Sequence, residues 1–280
     1  MITAFAGQLA SAQERKPSRT GTFQMHARFA SKFLAQERDI LVYLPPGYET
    51  DTKRRYPVLY MHDGQNLFDG ATSFIPGQEW RVDETAQRLI SEQTITPLII
   101  VGIYHTGVHR LKEYTPTPTQ RFPEAGKADA YGRMLVEELK PFIDRAYRTR
   151  KGAQDTGLCG SSLGGLVSLY LGLKYPDVFG KLALVSPSLW WDNRLMLKQV
   201  QAIQRRPRLR IWLDMGTREG SPIDAAENIA DARALRDALL QKGWQSEKDL
   251  TYLEAEGAQH NEAAWAARIE PILRFLFPPH

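Results

Sequence analysis

One serine sits where its hydroxyl could act as a nucleophile. Ser162 is the centre of a G-x-S-x-G spacing formed with Gly160 and Gly164, and Gly165 follows directly. The residues before it, Asp155 to Cys159, suit a short buried strand. Leu163 to Tyr175 reads as a helix that is apolar nearly all round. A sharp strand-to-helix turn needs small residues on either side. It lifts the serine oxygen clear of the sheet and sets it over a helix N-terminus whose first N–H groups lack partners. The pentapeptide alone would also suit a flexible loop; the flanking strand and buried helix favour the nucleophile.

A serine hydroxyl is a weak nucleophile until a base takes its proton, and the base needs an acid to orient it. Only His260 and the final residue, His280, follow Ser162 in the chain. His260 falls between the last expected strand and the last expected helix. That loop opens at the sheet edge where the serine turn also opens, which makes His260 the candidate base. The acid should follow the strand Arg208 to Met215. Glu219, in the loop just past the strand end, is favoured. Asp214, still inside the strand, is the runner-up and could instead pair with Arg210 or cap a turn. Asp224 already belongs to the next helix. Attack on a carbonyl creates an oxyanion that needs two N–H donors. Leu163 should supply one. The loop after the Tyr56 strand should supply the other, from Asp63, Gly64 or Gln65, with Gly64 allowing close backbone approach. His62 precedes the serine and is read as structural.

The elements that must hold these groups alternate along the chain. Thr22 to Phe29 and Arg38 to Leu44 read as two early strands forming an antiparallel edge. Tyr56 to Met61 and Pro97 to Tyr104 are short apolar runs suited to buried central strands. A long segment rich in Pro and Thr, His105 to Lys127, lies between the second of these and an amphipathic helix over Asp129 to Tyr147, which Pro141 should kink or restart. Strands are expected at Lys181 to Ser186, Arg208 to Met215 and Asp249 to Glu254. Helices are expected at Arg81 to Ser91, Asn193 to Arg205, from Ser221-Pro222 to the Gly243 stop, and Glu262 to Phe277. The fold class is therefore α/β, a mostly parallel central sheet with helices on both faces and no large lid. Residues 21–280 form one domain behind a tail at 1–20.

The pattern resembles the putative-esterase family of α/β-hydrolases, which includes enterochelin (ferric siderophore) esterases, feruloyl and acetyl-xylan esterases, and esterase D-like enzymes. The matching residues are Tyr60 to Asp69 (YMHDGQNLFD), Glu79-Trp80 with Val82 to Glu84, Val101 to Ile103, Arg110 with Glu113 to Pro116, Leu139 to Ile143, Gly160 to Gly165, Ser186 to Trp191 (SPSLWW), Gly216-Thr217 and His260. They span about residues 35 to 275. The resemblance implies an α/β-hydrolase fold, a catalytic Ser162 and His260, and an acid three residues after Gly216, which is Glu219. Related enzymes often carry Asp there, and some siderophore esterases work with a Ser–His pair. Arg110 and Tyr114 in the long segment, with Trp190 and Trp191, are candidates for substrate binding; the bland alternative is that they pin the loop and fill the core.

The expected activity is a serine carboxylic-ester hydrolase acting through an acyl-enzyme on a small, siderophore-linked or carbohydrate-linked ester, with neither metal nor cofactor. The rivals are an acyltransferase or peptidase using the same residues, and a non-catalytic carbohydrate- or siderophore-binding protein with a relict serine turn. Composition fits this: 280 residues, 42% hydrophobic and 24% charged, suit a globular domain, and the net charge of +4 is dispersed rather than gathered for nucleic acid. No run approaches a membrane span. The single cysteine, Cys159, excludes an internal disulfide and suits a small buried position beside the serine. Ile2 to Gln13 is small and apolar, with Ala10-Ser11-Ala12 fitting an A-x-A cleavage site, so the stretch reads as a signal-peptide remnant or a disordered tail; the first is favoured, and a periplasmic or secreted protein is expected, otherwise a cytoplasmic one.

Overall fold

A computed structural model describes residues 18–279. The expected signal remnant at Ile2 to Gln13 lies outside them. Ser18 to Thr20 lie against the body of the protein: the Ser18 hydroxyl donates to Glu79 at 2.7 Å and the Thr20 N–H to Asp83 at 2.6 Å.

Eight strands form one sheet: β1 Thr22–Phe29, β2 Arg38–Leu44, β3 Val58–His62, β4 Ile99–Ile103, β5 Thr156–Ser161, β6 Lys181–Val185, β7 Arg210–Gly216 and β8 Leu250–Ala255. Their order is β1-β2-β4-β3-β5-β6-β7-β8. The β1–β2 and β2–β4 pairs are antiparallel and the rest parallel, so the two early alternating runs do make an antiparallel edge. The parallel strands read as apolar runs because both faces are covered. Residues alternate between two cores: Val58, Tyr60, Leu158, Leu182, Leu184, Ile211 and Leu213 face one, and Leu59, Met61, Cys159, Ala183, Val185 and Trp212 face the other. Each fully buried aliphatic side chain contributes about 1.5–3 kcal/mol relative to exposure.

The helices are α1 Val82–Ser91, α2 Arg110–Glu113, α3 Ala128–Arg133, α4 Lys140–Ala146, α5 Leu163–Lys174, α6 Trp191–Ala202, α7 Pro222–Gln241, α8 Glu262–Ala266 and α9 Ile269–Leu276. α5 is apolar on nearly every side because sheet and helices enclose it, and its buried Ser168 hydroxyl donates back to the Gly164 carbonyl at 2.8 Å. α7 starts as its sequence predicts: Ser221 caps it in a reciprocal box with Asp224, and Pro222 fills the first turn. No helix among the described residues is long and apolar enough to cross a membrane.

Three expectations about helices need correction. The helix expected over Asp129 to Tyr147 is α3 and α4 joined by π-helical winding at Met134–Leu139. Pro141 has no N–H to donate one turn back, and the wider winding ends just before it. The span of α6 opens with a kink at which Asp192, Asn193 and Arg194 all hold positive φ, so its right-handed part begins after Arg194 rather than at Asn193. The helix expected over Glu262 to Phe277 breaks at Ala267–Arg268 into α8 and α9. Pro271 falls in the first turn of α9, where its missing N–H has no helical partner to lose. The break leaves Arg268, 3% exposed, beneath the end of β7.

Candidate active site

Ser162 is the hinge between β5 and α5, with φ 59° and ψ −123°. That conformation costs a side-chain-bearing residue about 1–3 kcal/mol, and it persists because the flanking elements fix it. The Ser162 N–H donates to the carbonyls of Val185 and Ser186 at 3.0 and 3.2 Å, tying the turn to β6. The glycine before it is a steric requirement. A methyl group on Gly160 would sit 2.8 Å from both the Gly164 carbonyl carbon and the His62 ring.

Behind the serine, β7 and β8 bring an imidazole and a carboxylate together. His260 Nδ1 and Glu219 Oε2 are 2.7 Å apart. The second oxygen of Glu219 accepts from the Gly216 N–H at 2.8 Å and the Ser186 hydroxyl at 2.5 Å. The carboxylate thus curls back over Gly216, where an added methyl would lie 2.5 Å from Oε1. Burial pushes Glu219 upward in pKa, but the bonds from His260 and Ser186 outweigh it and hold the group below the ordinary carboxylate range. An ionised carboxylate is what an orienting acid has to be.

Asp214, the alternative, is engaged elsewhere. It is fully buried and accepts from Arg268 Nη1 at 2.7 Å, from the Ser186 N–H at 3.1 Å and from the Trp212 indole at 2.7 Å. Burial raises it to about 6, with Arg268 limiting the rise. Asp224 bonds Ser221 in the capping box of α7, at the edge of the cleft that holds His260.

Leu163 opens α5 with its N–H toward the turn. Asp63, at φ 58°, leads into a short 3-10 turn at Gly64–Asn66. Among the described residues, no protein acceptor takes the N–H of Leu163, Gly64 or Gln65, as an oxyanion site requires. Gly64 packs against β4 so closely that a methyl group there would lie 2.6 Å from the Gly102 carbonyl carbon. His62 is buried behind this loop, with Nδ1 2.8 Å from the Tyr131 hydroxyl, and burial lowers it to about 4. It is a neutral packing residue, as its sequence position suggests.

The four candidate substrate contacts separate. Trp190 is half exposed and lines a cleft of about 470 Å³ with Arg121, Ser188, Glu227 and Asp231, bounded by Ser162 and His260. Arg110 lines a second cleft of about 660 Å³, with Phe74, Ile75, Val108 and Trp265, that also reaches Ser162 and His260. Its guanidinium, however, is held by both oxygens of Asp63 at 2.7 Å. Tyr114 and Trp191 do not line either cleft. Tyr114 is fully buried, and its hydroxyl is 3.4 Å from the Asp63 N–H. Trp191 is buried, stacks on Phe122 at 5.7 Å and donates to the Thr117 carbonyl. For these two the bland alternative holds: they pin the long loop.

Four residues that sequence reasoning did not single out individually complete the site. The Ser188 hydroxyl is 3.2 Å from that of Ser162. Ser186 links Glu219 to Asp214. The Trp265 indole donates to the Ser186 hydroxyl, and its ring meets His260 edge-on at 5.0 Å. Arg268 reaches Asp214 and Ser186. The run Ser186-Pro187-Ser188 at the end of β6, next to the serine turn, was a readable signal; Trp265 and Arg268 carried none beyond helical spacing. Among the described residues, no group of three His, Cys, Asp or Glu side chains could hold a metal ion.

Comparison with known proteins finds relatives along most of the chain. The family model described as "Putative esterase" matches residues 31–276. An uncharacterized protein of Bacillus subtilis, YjcH, is 30% identical over 256 residues, covering 91% of this chain and 98% of its own length. The ferri-bacillibactin esterase BesA of the same organism is 33% identical over 159 residues, about half of each chain (51% and 52%). In fold, the crystal structure of the BES protein from Bacillus cereus superposes with a TM-score of 0.74 at 24% identity, over 96% of this chain and 99% of that one.

Proposed function

We propose that this chain, which belongs to the putative-esterase family, cleaves carboxylic esters through an acyl-enzyme formed on Ser162. The observation that carries the reading is the 2.7 Å contact between His260 Nδ1 and Glu219, set beside a serine held in a strained strand-to-helix turn. Glu219 fixes the tautomer with the proton on Nδ1, so Nε2 is left to act as the base. The Ser162 hydroxyl turns from Ser188 toward Nε2, loses its proton there and attacks the ester carbonyl. The oxyanion is held by the N–H of Leu163 and that of Gly64 or Gln65. His260 then protonates the departing alkoxide. A water repeats the sequence on the acyl-enzyme and releases the acid.

The substrate in this proposal is a small aryl ester of the siderophore or hydroxycinnamoyl kind. Its apolar part lies in the cleft of Phe74, Ile75, Val108 and Trp265, and its polar part faces Trp190 and Arg121. Support for the siderophore option comes from the likeness to the ferri-bacillibactin esterase.

The test is hydrolysis of acetyl, feruloyl and catecholate esters by the wild-type protein and by Ser162→Ala. The variant should keep its fold and lose at least about 10³-fold in kcat/KM. A folded Ser162→Ala protein with undiminished activity would overturn the assignment.

A further inference from the structure

Two buried carboxylates stand side by side behind His260. Asp214 on β7 and Glu219 in the loop after it both contact the Ser186 residue, one through its N–H and the other through its hydroxyl. A single buried cation serves them. Arg268 Nη1 is 2.7 Å from Asp214 Oδ1, while Nη2 is 3.2 Å from the Ser186 hydroxyl and 3.9 Å from Glu219 Oε1. Its Nε donates to the Ala264 carbonyl at 3.2 Å, so every arm of the guanidinium is engaged. The break between α8 and α9 is what brings Arg268 here; a continuous helix would carry it away from β7. A structural ion pair would need only Asp214. The second arm, directed to the hydroxyl that bonds Glu219, is what links this cation to the site.

We propose that Arg268 is a positioning residue of the esterase: through Ser186 and its own charge it keeps Glu219 ionised and aimed at His260 while Asp214 lies beside it. This rests on the assignment of Ser162, His260 and Glu219 made above. Glu219 meets His260 from the loop after β7 and Glu262 faces it from the start of α8; behind Glu219 lie Asp214 on β7 and Arg268 at the α8–α9 break, and Asp224 at the α7 cap lines the same cleft as His260. Cys159 on β5 faces Asp214, and burial keeps its thiol protonated. Arg268 is therefore the nearest permanent positive charge to both carboxylates. Removing it leaves the two carboxylates holding their protons to higher pH. Removing the charge of Asp214 acts in the opposite direction.

The experiment is kcat/KM against pH for wild type, Arg268→Met, Arg268→Lys, Asp214→Asn and the double variant Arg268→Met/Asp214→Asn, with circular dichroism as the check on folding. Arg268→Met should lose about tenfold or more in kcat/KM at neutral pH and move the acidic limb of the profile up by about one pH unit. Arg268→Lys should keep the wild-type limb, Asp214→Asn should move it down, and the double variant should return it close to wild type. The double variant removes both buried charges together, so it is measurable even if Arg268→Met alone does not fold. Active, folded variants whose acidic limbs all coincide with wild type would overturn the proposal and leave Arg268 a packing residue. A wild-type protein without esterase activity would instead overturn the underlying assignment, so the two failures are distinguishable.

Discussion

The two walls around Ser162 are built on different physics. The wall made by β7, β8 and the α8–α9 break works through charge. Glu219, Asp214 and Arg268 are all buried there, and their bonds to one another and to His260, Ser186 and Trp212 leave no carboxylate oxygen without a partner. The wall made by the Asp63–Asn66 loop works through backbone shape. It presents N–H groups, it is pressed onto β4 at Gly64 and Gly102, and its charged pair, Asp63 with Arg110, pins the loop at the edge of the second cleft. In the proposed mechanism, charge on one side and shape on the other divide the chemistry: proton transfer is assigned to the first wall and oxyanion binding to the second.

The contrast is sharpest where a substitution preserves volume but removes charge. Glu219→Gln should lower kcat by about 10³-fold or more with little change in KM or melting temperature, because the amide can bond the wrong His260 tautomer. Steady-state kinetics with thermal melts would check this, and a change below tenfold would return the site to a Ser–His pair. On the other wall, a single methyl should suffice without any change of charge. Gly64→Ala puts a Cβ 2.6 Å from the Gly102 carbonyl carbon. It should destabilise the protein by about 1–3 kcal/mol and lower kcat by about 10²-fold as the donors shift. A variant with normal kcat would remove this loop from oxyanion binding.

The smallest effect on turnover should come from Arg110→Met, which leaves Asp63 buried without its partner. A stability loss of about 1–3 kcal/mol at neutral pH is expected, with only a few-fold change in kcat/KM. Burial alone would push Asp63 up, but Arg110 outweighs it and holds the carboxyl below its ordinary 3.8. A carboxyl lowered on folding adds stability that is complete above its unfolded pKa and lost as pH falls through its folded one. The gap in melting temperature between wild type and variant should therefore be widest near neutrality and narrow below about pH 3.8. A gap independent of pH would mean that Arg110 stabilises by packing alone.

Much of the scaffold was readable because local chemistry and tertiary structure agree. Thr22–Phe29 and Arg38–Leu44 are strands over the expected residues, although the second is covered on both faces rather than half-buried; Ser221, Pro222 and Asp224 announce the start of α7. The serine turn was readable because it demands small residues at fixed offsets. What escaped the sequence depends on direction in space. Adjacent Trp190 and Trp191 point to opposite environments, a cleft and the core, and nothing in a dipeptide says which. Tyr114 sits one turn after Arg110 yet is buried behind it. Arg268 looked like one more charge on a helix, because neither the break at Ala267–Arg268 nor the buried Asp214 that Arg268 meets shows in a helical period. The choice between Asp214 and Glu219 likewise needed the reach of each side chain: both leave the end of β7, but only Glu219 turns back far enough to meet His260.

The measurement that tests the central claim most directly is reaction of the native protein with a fluorophosphonate, with the modified peptide located by mass spectrometry. A single adduct on Ser162, absent in Ser162→Ala and formed far more slowly in Glu219→Gln, is the result this account predicts. No adduct on the folded protein, or an adduct on another residue with Ser162 untouched, would contradict it.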